Sequence, residues 1–567
     1  MKKLLLGGLV FFAAQSFAQN ALFIPDTITG PNYTLNLHTD SVQFLPGAIT
    51  KTLGFNACHY LGPTLIFTKD STVNITVNNQ LTDTTTLHWH GMHVPAKWDG
   101  GPHTLILPGT SSYPVFKVMN TASTFWYHPH PDMKTGQQVL KGAAGMIIVR
   151  DSAEATLALP RKYGVDDFPI IVQTTQFDTL GQHQIFWRGM EDSTILVNGT
   201  TDPYVNMPAQ VVRLRLLNAA GERSFNFGFT SNKSFYVIGN DGGLLNKPVS
   251  VTRIRLSPGE RAEVLLDLTG MNGQTIYLMS YASELAMGIQ GGPTMPMSGG
   301  PPMNSPLNGI DFNILEIKVG PQTSSPVLTV PSSLVKVTPY AESSASITRT
   351  IHFTSISDTV MDGPFFFNDS TFNMNRIDYV IPLNNIEIWK LVNKTMVAHP
   401  FHIHDVQFFI LDHDTTRPAP EESGQKDVIL VPPGDSARFI TKFTDFADTV
   451  VPYMYHCHIL MHEDDGMMAQ FIVSDKIPAG VNEVTENNHT LIVYPNPASA
   501  EVHLKLQGFD TKELITLNIY NVMGEETYSA NVMPGETTVN TSAWTKGVYF
   551  VTTTEGNTIL HQKFIVE

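Results

Sequence analysis

Three stretches of the chain alternate apolar and polar residues with a period of two and end in asparagine: "STVNITVNN" (71–79), "QVVRLRLLN" (210–218) and "NNIEIWKLVN" (384–393). That period puts successive side chains on opposite faces, as in a strand with one face buried. Some tens of residues after each comes a Pro-Gly pair that opens another strand: Pro108-Gly109, Pro258-Gly259 and Pro433-Gly434. A strand and a turn recurring together mark equivalent places in repeated units. The pattern predicts three β-sandwich domains, near 19–155, 156–325 and 326–478.

Beyond them, a polar linker (479–489) leads to a further β unit of about 80 residues, 490–567. Between the second and third domains, "LAMGIQGGPTMPMSGGPPMNSPLNG" (285–309) is too rich in Gly and Pro for a helix or central strand and reads as a loop. Its Met287, Met295, Met297 and Met303 could offer soft ligands to Cu(I), or the loop could join domains and hold no metal.

Composition agrees with an all-β chain of short strands: 42% apolar, 15% charged, 42 Gly and 37 Pro in 567 residues. At the N-terminus, Lys2-Lys3, the apolar run "LLLGGLVFFAA" and "SFA" before Gln19 read as a secretory signal over 1–18. No later apolar run approaches the roughly 18 residues of a membrane span, so a soluble mature protein is expected. A formal charge of 35 − 51 = −16 argues against nucleic acid as a partner.

The chemistry gathers in four clusters: "LHWHG" (His88, His90), "WYHPH" (His128, His130), "HPFHIH" (His399, His402, His404) and "YHCHILMHEDDGMM" (His456, Cys457, His458, His462, Met467). They hold ten of the 20 histidines. One His-x-His pair is weak evidence, and three might serve zinc. The cysteine points to copper, because one thiolate with two imidazoles and a distant thioether is a blue-copper donor set. A disulfide between Cys457 and Cys58, the only other cysteine, is the simpler alternative; the histidines around Cys457 favour ligation, and leave Cys58 as a small buried residue.

Strand periodicity then sorts the donors. Cys457 points one way, and His456 and His458 point the other. His402 and His404 share a face, and His399, three positions before His402, lies on the opposite one. His399 therefore joins Cys457, and a second centre collects eight imidazoles, from 88, 90, 128, 130, 402, 404, 456 and 458. Eight suit three ions better than one or two.

These residues resemble the multicopper oxidases, and the resemblance covers about 20–475. It implies three cupredoxin-like Greek-key β-sandwich domains and four copper ions. The type 1 ion would be held by His399, Cys457, His462 and axial Met467; the type 2 ion by His88 and His402; the type 3 pair by His90, His128, His130, His404, His456 and His458. The middle copy, "RLRLLNAAGERSFNFGF", has no such histidines and reads as a spacer. The implied reaction takes single electrons from a small reductant, passes them along Cys457 to His456 or His458, and reduces O₂ to water. Asp99 in "KWDGG" and Glu463 resemble the family's proton-relay acids; in isolation they read as a turn residue and a solvated charge. Two-domain nitrite reductases are a rival, but eight cluster histidines speak for oxygen. A metal-free scaffold is the non-enzyme rival.

"HPHPDMKTGQQVLKGAAGMIIV" and "HCHILMHEDDGMM" look most like the bacterial three-domain branch of laccases and copper-efflux oxidases. The latter place Asp and Met four and two positions before the first type 1 histidine; this chain has Thr395 and Val397, with Met396 one step off. Only Met361, Met374 and Met396 lie between 326 and 399. A laccase-type oxidase of phenols is therefore expected, with a cuprous oxidase as the alternative. Asp427, in "QKDVILVPPG", is a candidate for the substrate side. The C-terminal unit resembles a type IX sorting domain of the Bacteroidetes through Tyr494-Pro495-Asn496-Pro497, Gly547-Val548-Tyr549 and its Lys563-to-Val566 ending. It implies export to the outer surface or release; a carbohydrate-binding or adhesion module is the alternative. All ligands lie in one chain, so a monomer is expected.

Overall fold

The computed structural model describes residues 19–185, 192–294, 305–357, 363–476, 490–507, 514–522, 525–555 and 558–567. The signal segment 1–18, the linker 479–489, Met361 and the methionines 295, 297 and 303 lie outside the described residues. The chain divides into two units, 1–477 and 478–567.

In the first unit one topology occurs three times. The asparagine-ended strands Thr72–Asn79, Val211–Asn218 and Ile386–Asn393 each lie between a parallel neighbour (Asn32–Val42, Asp167–Phe177, Ile347–Ser355) and antiparallel strands that follow the Pro-Gly turn (Val115–Lys117, Arg261–Asp267, Ser436–Lys442). A second sheet faces each of these, and three separate apolar cores fill the sandwiches.

The recurring asparagine has a physical reason. Asn79 Nδ2 donates to the carbonyls of Asp83 and Ile106, and its Oδ1 accepts from Leu81 N. Asn218 bonds Arg223, Leu256 and Ala220 in the same way, and Asn393 bonds Val397, Val431 and Thr395. In every copy the amide pins the loop leaving the strand to the carbonyl two residues before Pro-Gly. The three Pro-Gly glycines have φ of 72°, 86° and 69°, which a turn with Pro first and Gly second requires.

Two expected domain limits are corrected. Asn20–Ala21 pairs in parallel with Pro203–Pro208, and Leu22 is buried in the middle core, so the first residues of the expected first domain complete the second. Residues 327–335 also belong with the middle domain. Val327 O accepts from Val211 N, Leu334 N donates to Asn246 O, and Val330 and Val335 pack beside Val211 and Leu265. Such a strap lacks a periodicity of its own; the surface it covers decides where it belongs. The two cysteines are free, and burial pushes the Cys58 thiol up to about 11.

The second unit packs a three-stranded sheet (Thr490–Tyr494, Glu501–Gln507, Gly535–Asn540) with a four-stranded one (Glu526–Val532, Ile515–Asn521, Gly547–Glu555, Thr558–Val566). Val502, Leu504, Leu517, Ile519, Val551 and Phe564 fill its core.

Asn218→Ala would orphan two buried carbonyls and one amide. The expected loss is about 3 kcal/mol, since each unsatisfied group costs roughly 1–3 kcal/mol. Urea unfolding of the metal-free protein measures it, and a loss under about 0.5 kcal/mol, typical of a surface change, would refute the role.

Candidate metal centre

The histidine pairs lie on neighbouring strands. In the first domain His88–His90 runs antiparallel to Ser123–His128, with His88 opposite His128. In the third, His399–Ile403 runs antiparallel to Asp448–Cys457, with His402 opposite His456 and Phe401 opposite Cys457. The corresponding strand of the middle domain, Phe225–Phe229, is "FNFGF".

All eight cluster histidines are at most 1% exposed. His90 Nδ1 lies 3.4 Å from His128 Nε2 and 3.2 Å from His458 Nε2. His456 Nε2 lies 3.1 Å from His130 Nε2 and 3.3 Å from His404 Nε2. The remaining two, His88 and His402, bond the carbonyls of Asp99 and Asp427 through Nδ1 at 2.7 and 2.8 Å. Their Nε2 atoms are buried with no partner. Ligand atoms of His88, His90 and His402 lie within 4.8 Å of one another, as do those of the two triads. Buried polar nitrogens without a hydrogen bond are costly, and a cation satisfies them.

On the opposite face of the same strand, Cys457 Sγ is 3.5 Å from His399 Nδ1 and 3.6 Å from His462 Nδ1. Met467 is buried beside them, its carbonyl accepting from Cys457 N at 3.0 Å. Phe365 lies against both imidazoles, with ring centroids 4.7 and 4.5 Å away. Burial pushes the thiol well above its usual range, and draws His462 down to about 3. Burial, with repulsion between neighbouring rings, also lowers His90, His130, His399, His402 and His404. These lowered imidazoles favour the neutral form that binds a cation, and a soft cation would deprotonate the thiol.

Both acids singled out from sequence touch cluster histidines. Asp99 Oδ2 is 2.7 Å from His404 Nδ1, and its Oδ1 is 3.4 Å from His88 Nδ1. Glu463 Oε2 is 3.1 Å from His456 Nδ1, and its Oε1 is 3.4 Å from His130 Nδ1. Asp427 is corrected: it is fully buried, its Oδ1 3.2 Å from His90 Nε2, so it faces the eight-histidine cluster rather than a reducing substrate. Sequence reasoning missed Arg261, which pairs with Asp427, and Asp464, which accepts from Thr135 N and Gly136 N. It also missed the bond between Thr395 Oγ1 and His399 Nε2, 2.9 Å.

Multicopper oxidase family models match residues 36–154, 172–293 and 344–476. The multicopper oxidase mco of Staphylococcus haemolyticus is 32% identical over 451 residues, 78% of this chain and 89% of that one. The chain belongs to the multicopper oxidase family. Its reaction is an oxidase reaction and its cofactor is copper. The cell division protein FtsP of Escherichia coli is 30% identical over 436 residues, 76% of this chain and 87% of that one. Among solved structures, the laccase-like multi-copper oxidase CueO from Ochrobactrum sp. has a TM-score of 0.70 at 31% identity, covering 80% of this oxidase and all of that chain. A secretion system C-terminal sorting domain model matches 492–567, which marks the oxidase for type IX export to the cell surface or beyond in a Bacteroidetes-type bacterium.

Behind the cluster, His93 bridges the first and third domains: Nδ1 is 2.7 Å from Asp405 Oδ1 and Nε2 is 3.1 Å from Asp445 Oδ2. Burial draws this imidazole down, but the charge and hydrogen bonds of Asp405, with that of Asp445, outweigh it and push it up from 6.5 to about 9. A raised folded-state value gives stability that is full below 6.5 and lost as pH rises through about 9. The gain is at most about 3 kcal/mol. His93→Gln should therefore lower the denaturation midpoint of the oxidase more at pH ~6 than at pH ~10, and equal losses would overturn the assignment.

Proposed function

We propose that the oxidase holds four copper ions and couples the one-electron oxidation of phenols or similar small reductants to the reduction of O₂. The observation that carries this is a full set of buried donors: eight imidazoles in one cluster, and His399, Cys457, His462 and Met467 in a second site. In this reading His399, Cys457, His462 and Met467 hold the type 1 ion, and His88 and His402 the type 2 ion. One type 3 ion takes His90, His128 and His458; the other takes His130, His404 and His456. Bound there, copper supplies single-electron chemistry toward the reductant and four-electron chemistry toward O₂.

The chain's own contribution is wiring and protons. Cys457 lies between His456 and His458, so a few covalent bonds join the two centres. Making water from O₂ consumes protons; Asp99 and Glu463, in contact with cluster histidines, are placed to hold and deliver them. His462 is 7% exposed, the most open of the histidine ligands, which supports reductant approach at that ring.

The second reading is a cuprous oxidase. It is favoured by the root of the Met-rich loop: Gly288 O accepts from Ala398 N at 2.8 Å, directly before His399, and Met287 is 57% exposed. A metal-free scaffold is opposed by the donor residue that stands at every position of the two sites. Monomeric state, and export that ends in attachment to the outer surface or in release, belong to the proposal as well.

Oxygen uptake by the copper-loaded protein with a simple phenol, against a stabilised Cu(I) complex, separates the readings: faster uptake with the phenol is expected, and preference for Cu(I) would replace the laccase reading. Glu463→Gln should keep the blue colour and slow turnover roughly 100-fold or more, since a positioned acid–base group contributes about 10²–10⁴-fold. Full activity in that variant would remove the proton role.

A further inference from the structure

The middle domain supplies no histidine, yet its side chains reach the cluster. Arg261 opens the strand Arg261–Asp267 of that domain and is fully buried. Its Nη1 and Nη2 grip the two oxygens of Asp427 at 2.5 and 2.7 Å. Its other donors reach Thr124 O (Nε, 3.0 Å), Gly259 O (Nη1, 3.2 Å) and Asp241 O (Nη2, 2.9 Å). All five N–H groups of the guanidinium are thereby used, against groups from all three domains, so the fork has one orientation. Asp427 passes that orientation on. Its Oδ1 is 3.2 Å from His90 Nε2, and its carbonyl accepts from His402 Nδ1 at 2.8 Å.

The consequence is visible in His90. In the contacts within the two triads, five rings face their partners through Nε2, and His90 alone does so through Nδ1. A hydrogen bond from Nε2–H to Asp427 selects that tautomer and leaves the Nδ1 lone pair pointing inward. Two glycines keep the approach open. A Cβ on Gly91, whose φ is 81°, would fall 2.4 Å from Asp427 Oδ2 and 2.6 Å from Arg261 Nη2. A Cβ on Gly259 would fall 2.8 Å from the His458 ring.

We propose that Arg261 and Asp427 are positioning residues through which the ligand-free middle domain fixes His90 as an Nδ1 ligand, so that assembly of the eight-histidine site depends on that domain. This rests on the copper assignment above. The experiment measures copper per chain and blue absorbance across a chelator titration, and the melting temperature of the metal-free protein, for the parent, Arg261→Leu and Arg261→Lys. Arg261→Leu should keep the blue colour while cluster copper is held about 10–100-fold more weakly, the usual effect of removing a partner behind a ligand. Arg261→Lys keeps the charge without the fork and should recover only part of the loss.

Cluster copper held as tightly as in the parent overturns the proposal. So does loss of blue and cluster copper together, in step with a lower metal-free melting temperature, because a merely structural role predicts that. Should Arg261→Leu not fold, the comparison rests on Arg261→Lys, where equal weakening of both copper classes is the refuting result. A parent chain that binds no copper beyond its blue site would instead refute the copper assignment itself.

Discussion

The structure turns on one constraint: imidazoles from two domains are buried at a single place with their inner nitrogens facing one another. Most of them are tied from behind. His88 and His402 bond backbone carbonyls, His404 bonds Asp99, His90 bonds Asp427, and His128 and His456 bond the carbonyls of Pro129 and Cys457. With the outer nitrogens occupied, the rings cannot turn away, and only cations complete the inner side. A softer scaffold would let the rings find other partners. The three sandwiches, each pinned by its asparagine and Pro-Gly turn, hold them in place.

The cysteine strand shows how little sequence is needed to join two unlike sites. Side chains alternate along Asp448–Cys457 and its continuation, so Cys457 enters the dry core with Phe365, Phe401 and Met467 while His456 and His458 face the cluster. The two environments differ sharply. An apolar shell surrounds the thiol, whereas carboxylates and carbonyls stand behind the imidazoles. A slip of one residue in register would exchange the faces and destroy both sites together, so pairing of this strand with His399–Ile403 is a functional constraint as well as a structural one.

What was legible in the sequence follows from range. Periodicity acts over a few residues, and it sorted His399 from His402 and His404 correctly because a strand alternates without interruption there. The repeated asparagine was visible as a pattern, although its bonding was not. Asp99 and Glu463 drew attention through family resemblance; nothing local separates them from turn and surface acids. Arg261 and Asp427 are 166 residues apart, and Asp427 and His90 are 337 apart, so no local pattern could join them. Asp427 was accordingly placed on the wrong side of the protein's chemistry. The strap at 327–335 escaped for a related reason, since the core that covers a strap is a tertiary fact.

By its donors alone the middle domain is a spacer, yet one of its side chains, Arg261, reaches a carboxylate that touches the cluster. A donor residue does nothing until its tautomer and ring plane are set, and those are decided one bond further out. In this chain that bond belongs to a carboxylate of the third domain, held in turn by a guanidinium of the second and flanked by a glycine of the first. The three domains therefore meet behind one ring, His90. Adjacency on a strand delivers donors in twos, and what ties them from behind is of two kinds. Groups of the same domain tie His88, His128, His402 and His456. A carboxylate of the other domain ties His90 and His404, which is why those carboxylates lie far along the chain from the rings they hold.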